Sequence, residues 1–246
     1  MQHQELRIDL AAALRWAARE NLHEGVDNHF SLAVPGGDGR VHGDLFLINP
    51  YRRHWTHVAA SDVVLCDGEG KVVEGKHEVE TTAFCIHGPV HRGKPSAAAV
   101  LHTHMPYATA IAHVAGGRLQ MAGQAALMFD GRIAYDDTYG GLALDNSEGE
   151  RMAESLGDAD ILFLAGHGVL VTGPSVAAAL TDLYYLERAC MFQVLAHSHG
   201  GGLVEVSGEI REHMRGQRAA DFDNLRSGFF NEVKRVLAVE EPDYLQ

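Results

Sequence analysis

At 246 residues and 46% hydrophobic content, the chain has enough apolar mass for one large core, and residues 1–246 are read as a single domain. A formal net charge of −13 excludes a nucleic-acid partner, whose phosphates would be repelled rather than neutralised. The polar start Met1-Gln2-His3-Gln4-Glu5-Leu6-Arg7 has no apolar signal core, and no apolar run approaches the ~20 residues needed to cross a bilayer, so a cytoplasmic protein without a membrane partner is expected.

In chain order, residues 5–22 carry an amphipathic helical pattern that ends near Glu24-Gly25. Short β-type runs follow at Phe30–Val34, Leu45–Ile48 and Val63–Cys66, punctuated by turns such as Gly36-Gly37-Asp38-Gly39 and Asp67-Gly68-Glu69-Gly70. A helix is expected over 79–91, stopped by Gly93 and Pro95. His87 and His91 share one face of it at i, i+4, a spacing that can bind metal but more often marks a polar stripe. Next come a strand ending in His102-Thr103-His104, a helix from Pro106 to about Ala115, and a hairpin spanning Ile161 to Gly173. A long helix from about Val176 to Ala196 and a C-terminal helix from Gly208 to Val236 complete the pattern. His197 and His199, at the end of the long helix, are read as capping residues that meet its last carbonyls and the negative end of its dipole. Cys66, Cys85 and Cys190 are isolated in apolar surroundings and are read as buried free thiols of a reducing compartment. Strands interspersed with helices in this way suggest a three-layer α/β/α sandwich.

His102 and His104, two apart on a strand, project from one face with their bases roughly 7 Å apart, close enough to share a metal ion. A divalent ion bound for catalysis usually takes three protein ligands and keeps an open position. His167 is the candidate third ligand. It stands in Ala165-Gly166-His167-Gly168 between two apolar β-type runs, where flanking glycines admit backbone angles closed to other residues. On the residues alone the competing reading is scattered surface or core histidines, because the chain contains 16.

The stretch from His87 through Gly93-Lys94-Pro95 to Val100-Leu101-His102-Thr103-His104-Met105-Pro106-Tyr107-Ala108-Thr109-Ala110, followed by Ala165-Gly166-His167-Gly168, resembles the class II aldolase/adducin family. The likeness runs from the first helix to about His199. It implies a three-layer α/β/α sandwich with a mixed, largely antiparallel central sheet, assembled as a homotetramer. It also implies one divalent metal per subunit on His102, His104 and His167, with zinc or iron ahead of manganese or cobalt for imidazole ligands.

The same resemblance exposes departures. Sugar-phosphate aldolases of the family carry Ser-Ser-Glu on the helix before the metal strand, with the Glu as acid–base residue. Counting back from Pro95 without a gap puts Thr81-Thr82-Ala83 there. Glu80 or Glu78, either within about a turn of Ala83, could take its place, with Glu80 the candidate proton donor, and Thr81, Thr82 and His87 are candidate substrate contacts. The aldolases' Gly-Asn-x-Ser loop corresponds to Asn28-His29-Phe30-Ser31, and their Thr-Gly turn to Tyr51-Arg52, so a small phosphate cradle has become bulky and cationic. Asn28, His29 and Tyr51 are read as substrate contacts and Arg52 as a bidentate anchor for a carboxylate; the alternative for Arg52 and Arg53 is a solvated surface pair.

These departures point to the adducin-like branch and to a small-molecule substrate without phosphate. The expected activity is a divalent-metal-dependent lyase that stabilises an enolate or carbanion during C–C cleavage. The reaction would be decarboxylation or retro-aldol cleavage of a small hydroxy- or keto-carboxylate, aromatic ones included. Two other classes stand beside it: a non-haem Fe(II) oxygenase on the same fold, and a non-catalytic adducin-like interaction module, against which the intact histidines argue.

Overall fold

The computed structural model describes the backbone of residues 1–246 and every side chain but those of 219 and 220. Its eight strands are β1 (His29–Ala33), β2 (Leu45–Ile48), β3 (Val64–Asp67), β4 (Val72–Glu74), β5 (Ala99–Thr103), β6 (Ile133–Asp136), β7 (Ile161–Leu164) and β8 (Gly168–Gly173). They form one sheet in the order β4-β3-β2-β1-β5-β8-β7-β6. Every pairing is antiparallel except β6 with β7. The sheet is therefore mixed and largely antiparallel.

Successive strand residues face opposite sides, which sorts the apolar side chains into two layers. Phe30 and Leu32 of β1 join Leu47, Leu101, Phe163 and Val171 in the larger core. That core is closed by α1 (Gln4–Arg19), α3 (Pro106–Ala112), α6 (Val176–Ser198) and α7 (Gly208–Glu240). On the opposite face α2 (Thr81–Gly93) and α5 (Asn146–Leu156) supply Ile86, Val90, Met152 and Leu156 against Val100, Leu162, Leu164 and Leu170. A four-residue helix, α4 (Gln124–Leu127), fills the connection to β6. With both faces covered, β7 and β8 are buried at every position, which explains their near-continuous apolar sequence.

Several boundaries move for identifiable reasons. Helix α1 stops at Arg19 rather than residue 22, because Asn21 turns the chain left-handed at φ 57°. Helix α2 starts at Thr81, not Val79, since Glu80 is extended with ψ 140°. Helix α7 runs past Val236 to Glu240, just before Pro242. Strands β4 and β6 and helices α4 and α5 are elements that the sequence pattern does not announce. For α5 the cause is its polarity: it buries only Gly149, Met152 and Leu156.

The C-terminal half of helix α7 turns several apolar positions onto its own chain, while Ile210 and Val239 stay exposed. Phe230, Val233 and Leu237 enter the main core, and Phe229 meets Trp16 edge-on at 6.4 Å. Across the α6–α7 contact lies a buried ion network: Asp182, fully excluded from solvent, accepts from the Arg226 guanidinium at 2.7 Å and pairs with Arg132 at 2.5 Å. Cys66, Cys85 and Cys190 are free and buried. At the end of α6, His197 lies in the last turn and His199 is the C-cap residue. No helix among the described residues is long and apolar enough to cross a membrane.

Candidate metal centre

The antiparallel register of β1 and β5 sets His29 directly opposite His102, and two residues on, just past the end of β5, stands His104. The β7–β8 turn delivers His167 to the same place. Its two glycines do different work: Gly166 takes the left-handed φ of 65°, whereas Gly168 makes room. A Cβ at Gly168 would lie 2.5 Å from the Thr103 carbonyl oxygen and 2.8 Å from His104 Cδ2, so any side chain there would push the turn off the end of β5.

His102, His104 and His167 each offer a ring nitrogen within 4.8 Å of the others. His102 donates from Nδ1 to the Val169 carbonyl at 3.0 Å, which leaves its Nε2 lone pair free. His104 Nδ1 is held by Glu24 Oε2 at 2.6 Å, and its Nε2 is buried with no protein partner. Burial holds the His102 imidazole well below its ordinary value, with the neighbouring rings adding to the effect, and pushes His167 down to about 4. Three imidazoles gathered at one point, one of them with an orphaned buried nitrogen, are a donor set that suits a divalent ion. The residues present fit such an ion.

The three histidines border a cavity of about 540 Å³. Its wall carries the carboxylates Glu24, Asp27, Glu80 and Glu148 and, among the described residues, no lysine or arginine. Burial raises the Glu80 carboxyl above its usual range, opposed by a hydrogen bond with Thr82 and by the Arg52 charge. Glu148, also on the wall, is paired through Oε2 with the Arg151 guanidinium at 3.1 Å.

The structure brings together some of the residues singled out from the sequence and separates others. His29, Glu80 and Thr82 line the cavity with the three metal-site histidines. Asn28 sits beneath it: its Oδ1 accepts from the Glu24 amide at 2.7 Å and the His104 amide at 3.3 Å, tying the two loops together. His87 is buried one layer further in, its Nε2 2.8 Å from His29 Nδ1, and does not reach the wall. Tyr51, Arg52 and Thr81 also lie off the wall. Arg52 is exposed and stacks its guanidinium over the Tyr51 ring at 4.7 Å, while Arg53 pairs with Asp62 at 3.2 Å. The solvated-pair reading thus describes Arg52 better than the anchor reading. Ala83 faces away from the cavity into a small core with Phe46, Ile48 and Val64, because Thr82 and Ile86, four apart, are the α2 side chains turned toward it.

Sequence reasoning missed Glu24, Asp27, Tyr139 and Glu148. Glu24 and Asp27 lie in a loop with no regular spacing to the histidines, and only the β1–β5 pairing brings Glu24 to His104. Tyr139 and Glu148 come from α5 and the segment before it, where the sequence is mostly polar and the apolar face is confined to a few positions such as Met152 and Leu156.

Glu187 of α6 supports the centre from behind. Its carboxyl accepts from the amides of Tyr107 at 2.7 Å and Ala108 at 2.9 Å, fixing the start of α3 just after His104. Burial lifts this carboxyl from 4.5 to about 7 in spite of those donors. The folded protein therefore holds the proton more tightly than the unfolded chain, and the group's contribution to stability is full below pH 4.5 and falls away as pH rises through about 7. Glu187→Gln is expected to flatten that fall, by up to about 3 kcal/mol, in urea unfolding measured across this pH range. An unchanged pH slope in the variant would contradict the assignment.

Residues 8–194 match the sequence profile of the Class II Aldolase and Adducin N-terminal domain. The fold is similar to that of an aldolase II superfamily protein from Pseudomonas syringae, with TM-score 0.90 and 33% identity, covering 100% of this chain and 96% of that one. The sequence is 30% identical to a 4-hydroxy-3-prenylphenylpyruvate oxygenase/4-hydroxy-3-prenylbenzoate synthase of Streptomyces roseochromogenus subsp. oscitans, over 80% of this chain and 69% of that protein. It is 29% identical to the decarboxylase NovR of Streptomyces niveus, over 79% of this chain and 71% of that protein.

Proposed function

Because the chain belongs to the class II aldolase and adducin family, we propose that it is a carbon–carbon lyase for a small hydroxy- or keto-carboxylate without phosphate, working with one divalent ion on His102, His104 and His167. The observation that carries this reading is the cavity wall, where three imidazoles meet four carboxylates and, among the described residues, no lysine or arginine. A phosphate dianion brings more charge to that acidic wall than a carboxylate does, and the Arg151 guanidinium beside it is already paired with Glu148 and Asp136. When bound, a divalent ion supplies an electron sink for the charge left on the substrate as the C–C bond breaks.

The chain's own residues supply orientation and the proton. Val169 and Glu24 fix the rings of His102 and His104 so that each turns Nε2 inward. Glu80, partly buried with its carboxyl held up, is placed on the wall to serve as general acid. As carbon dioxide leaves from the substrate carboxylate, the electron pair stays on the remaining carbon and takes the Glu80 proton. Thr82 stands beside Glu80 on the same wall.

The name of the NovR relative supports decarboxylation, and the name of the prenylbenzoate synthase supports a second reading, an Fe(II) oxygenase. A panel of hydroxy- and keto-carboxylates beside fuculose and ribulose phosphates, assayed with zinc, iron(II), manganese and cobalt under air and under nitrogen, separates the readings. Carboxylate cleavage that proceeds equally under nitrogen is the expected result. Efficient cleavage of a sugar phosphate would overturn the proposal, and turnover confined to iron in air would replace it with the oxygenase.

We also propose a homotetramer. Phe192 and Val204 are exposed and line one apolar groove at the α6 end, with Leu195 and Ile210 exposed on the helices that flank it. Light scattering at micromolar concentration is expected to report a four-chain mass, and a monomer there would defeat this assembly.

A further inference from the structure

Behind the cavity wall, four side chains and one carbonyl form a continuous buried hydrogen-bonded chain. His29 Nδ1 lies 2.8 Å from His87 Nε2; His87 Nδ1 contacts Ser31 Oγ. Ser31 Oγ lies 2.7 Å from His91 Nε2, and His91 Nδ1 lies 2.9 Å from the Ala97 carbonyl oxygen. The topology creates this line. His29 and Ser31 are two apart on β1 and share a face, and His87 and His91 are four apart on α2, which packs on that face.

The far end of the chain fixes its direction. A carbonyl only accepts, so His91 must carry its proton on Nδ1, and a neutral His91 then presents a lone pair at Nε2. The single Ser31 hydroxyl proton must go to that lone pair, which obliges Ser31 Oγ to accept from His87 Nδ1–H. His87 Nε2 is then an acceptor, and His29 must donate to it from Nδ1. The one ring nitrogen left over is His29 Nε2, and His29 is the member of the chain that lines the cavity. Running the chain the other way would need a doubly protonated His91. All three rings are buried and, among the described residues, none is hydrogen-bonded to a carboxylate that would balance such a cation.

We propose that His29 presents an obligate lone pair at Nε2 to the cavity and accepts a hydrogen bond from a hydroxyl on the substrate, with Ser31, His87 and His91 as positioning residues that lock its tautomer. The substrate class is thereby narrowed to carboxylates that carry a free hydroxyl near the reacting carbon. Neutral His29 opposite His102 also keeps a second cation away from the centre, whereas a lysine or arginine at this position would compete with a metal ion. The inference rests on the reading of this cavity as the substrate site. Its test does not depend on which residues bind metal: a wrong ligand set would show in metal content and leave the His29 tautomer where it is.

The test is long-range proton–nitrogen correlation NMR of the histidine rings in the zinc-loaded protein. His29, His87 and His91 are each expected to show a protonated Nδ1 and a lone-pair Nε2, and a protonated Nε2 at His29 would overturn the proposal. Ser31→Ala breaks the link that carries the direction from His91 and the Ala97 carbonyl to His87, so His29 is expected to become a mixture of tautomers while the metal content stays unchanged. An unaltered His29 signal in that variant would also overturn it, and the wild-type measurement decides the matter if the variant does not fold. Cadmium exchanged for zinc gives a further check, since scalar coupling from cadmium to His29 Nε2 would make His29 a metal ligand and end its role as a hydroxyl acceptor. With glycolate and its ether methoxyacetate as probes in calorimetric titration, His29→Phe is expected to reduce the preference for glycolate by about fivefold; an unchanged preference would count against the acceptor role.

Discussion

Replacing His104 with alanine is expected to lower bound metal from about one ion per chain to nearly none while leaving the fold in place. The side chain sits just beyond β5 and lies partly exposed in the cavity, so its loss opens no void in either hydrophobic core. What the variant loses is one of three donors, together with the Glu24 contact that orients the ring. Changing only an outer partner of a metal ligand typically costs ten- to a hundredfold in affinity, so deleting the ligand itself should cost more than about a hundredfold. Lyase activity should fall with occupancy. Elemental analysis of the purified variant, paired with circular dichroism, is the check, and full occupancy in a folded His104→Ala protein would refute the three-histidine centre.

The second large effect is structural and lies on the far side of the sheet. Asp182→Leu is expected to destabilise the protein by about 3–5 kcal/mol, because it removes the shared partner of two guanidinium groups that are themselves mostly buried. Arg132 keeps Asp160 at 2.7 Å, but Arg226 retains only the exposed Asp223 at 3.6 Å. Arg226 would therefore sit at the α6–α7 contact without a compensating charge inside the fold. Urea unfolding of the wild type and the variant measures the difference directly. A loss under about 1 kcal/mol would mean that solvent reaches the network. The pair Asp182→Leu with Arg226→Met should recover part of the stability, since an apolar replacement for a buried ion pair is tolerated better than half of one.

The histidine pair shows how much of the centre is legible in the amino-acid sequence. Two residues apart on an apolar run that ends in a turn, His102 and His104 share a face by strand geometry alone. The Gly-His-Gly signal rests on backbone freedom, and φ at Gly166 together with the crowding at Gly168 account for both glycines. The layer architecture is also legible, because burial on both faces leaves a local mark in the apolar β7 and β8 runs. In α5 the mark is narrower, since Gly149, Met152 and Leu156 fall on one face at helical spacing but the rest of the helix is polar.

Local chemistry along the chain therefore determines most of the helices and strands and the shared face of His102 and His104, since each depends on spacing over a few residues, whereas His167 joins them through the resemblance and the β7–β8 turn. Tertiary pairing alone decides the surroundings of those ligands. The β1–β5 register places His29 beside His102 and, through the loop that precedes β1, Glu24 against His104. The rotation of α2 turns Thr82 toward the cavity and Ala83 into the core, and the exposed stack of Arg52 on Tyr51 keeps that guanidinium off the wall. Such contacts join residues as far as 80 positions apart, as between Glu24 and His104. Their geometry is set by how the layers pack, so no short stretch of sequence could encode it.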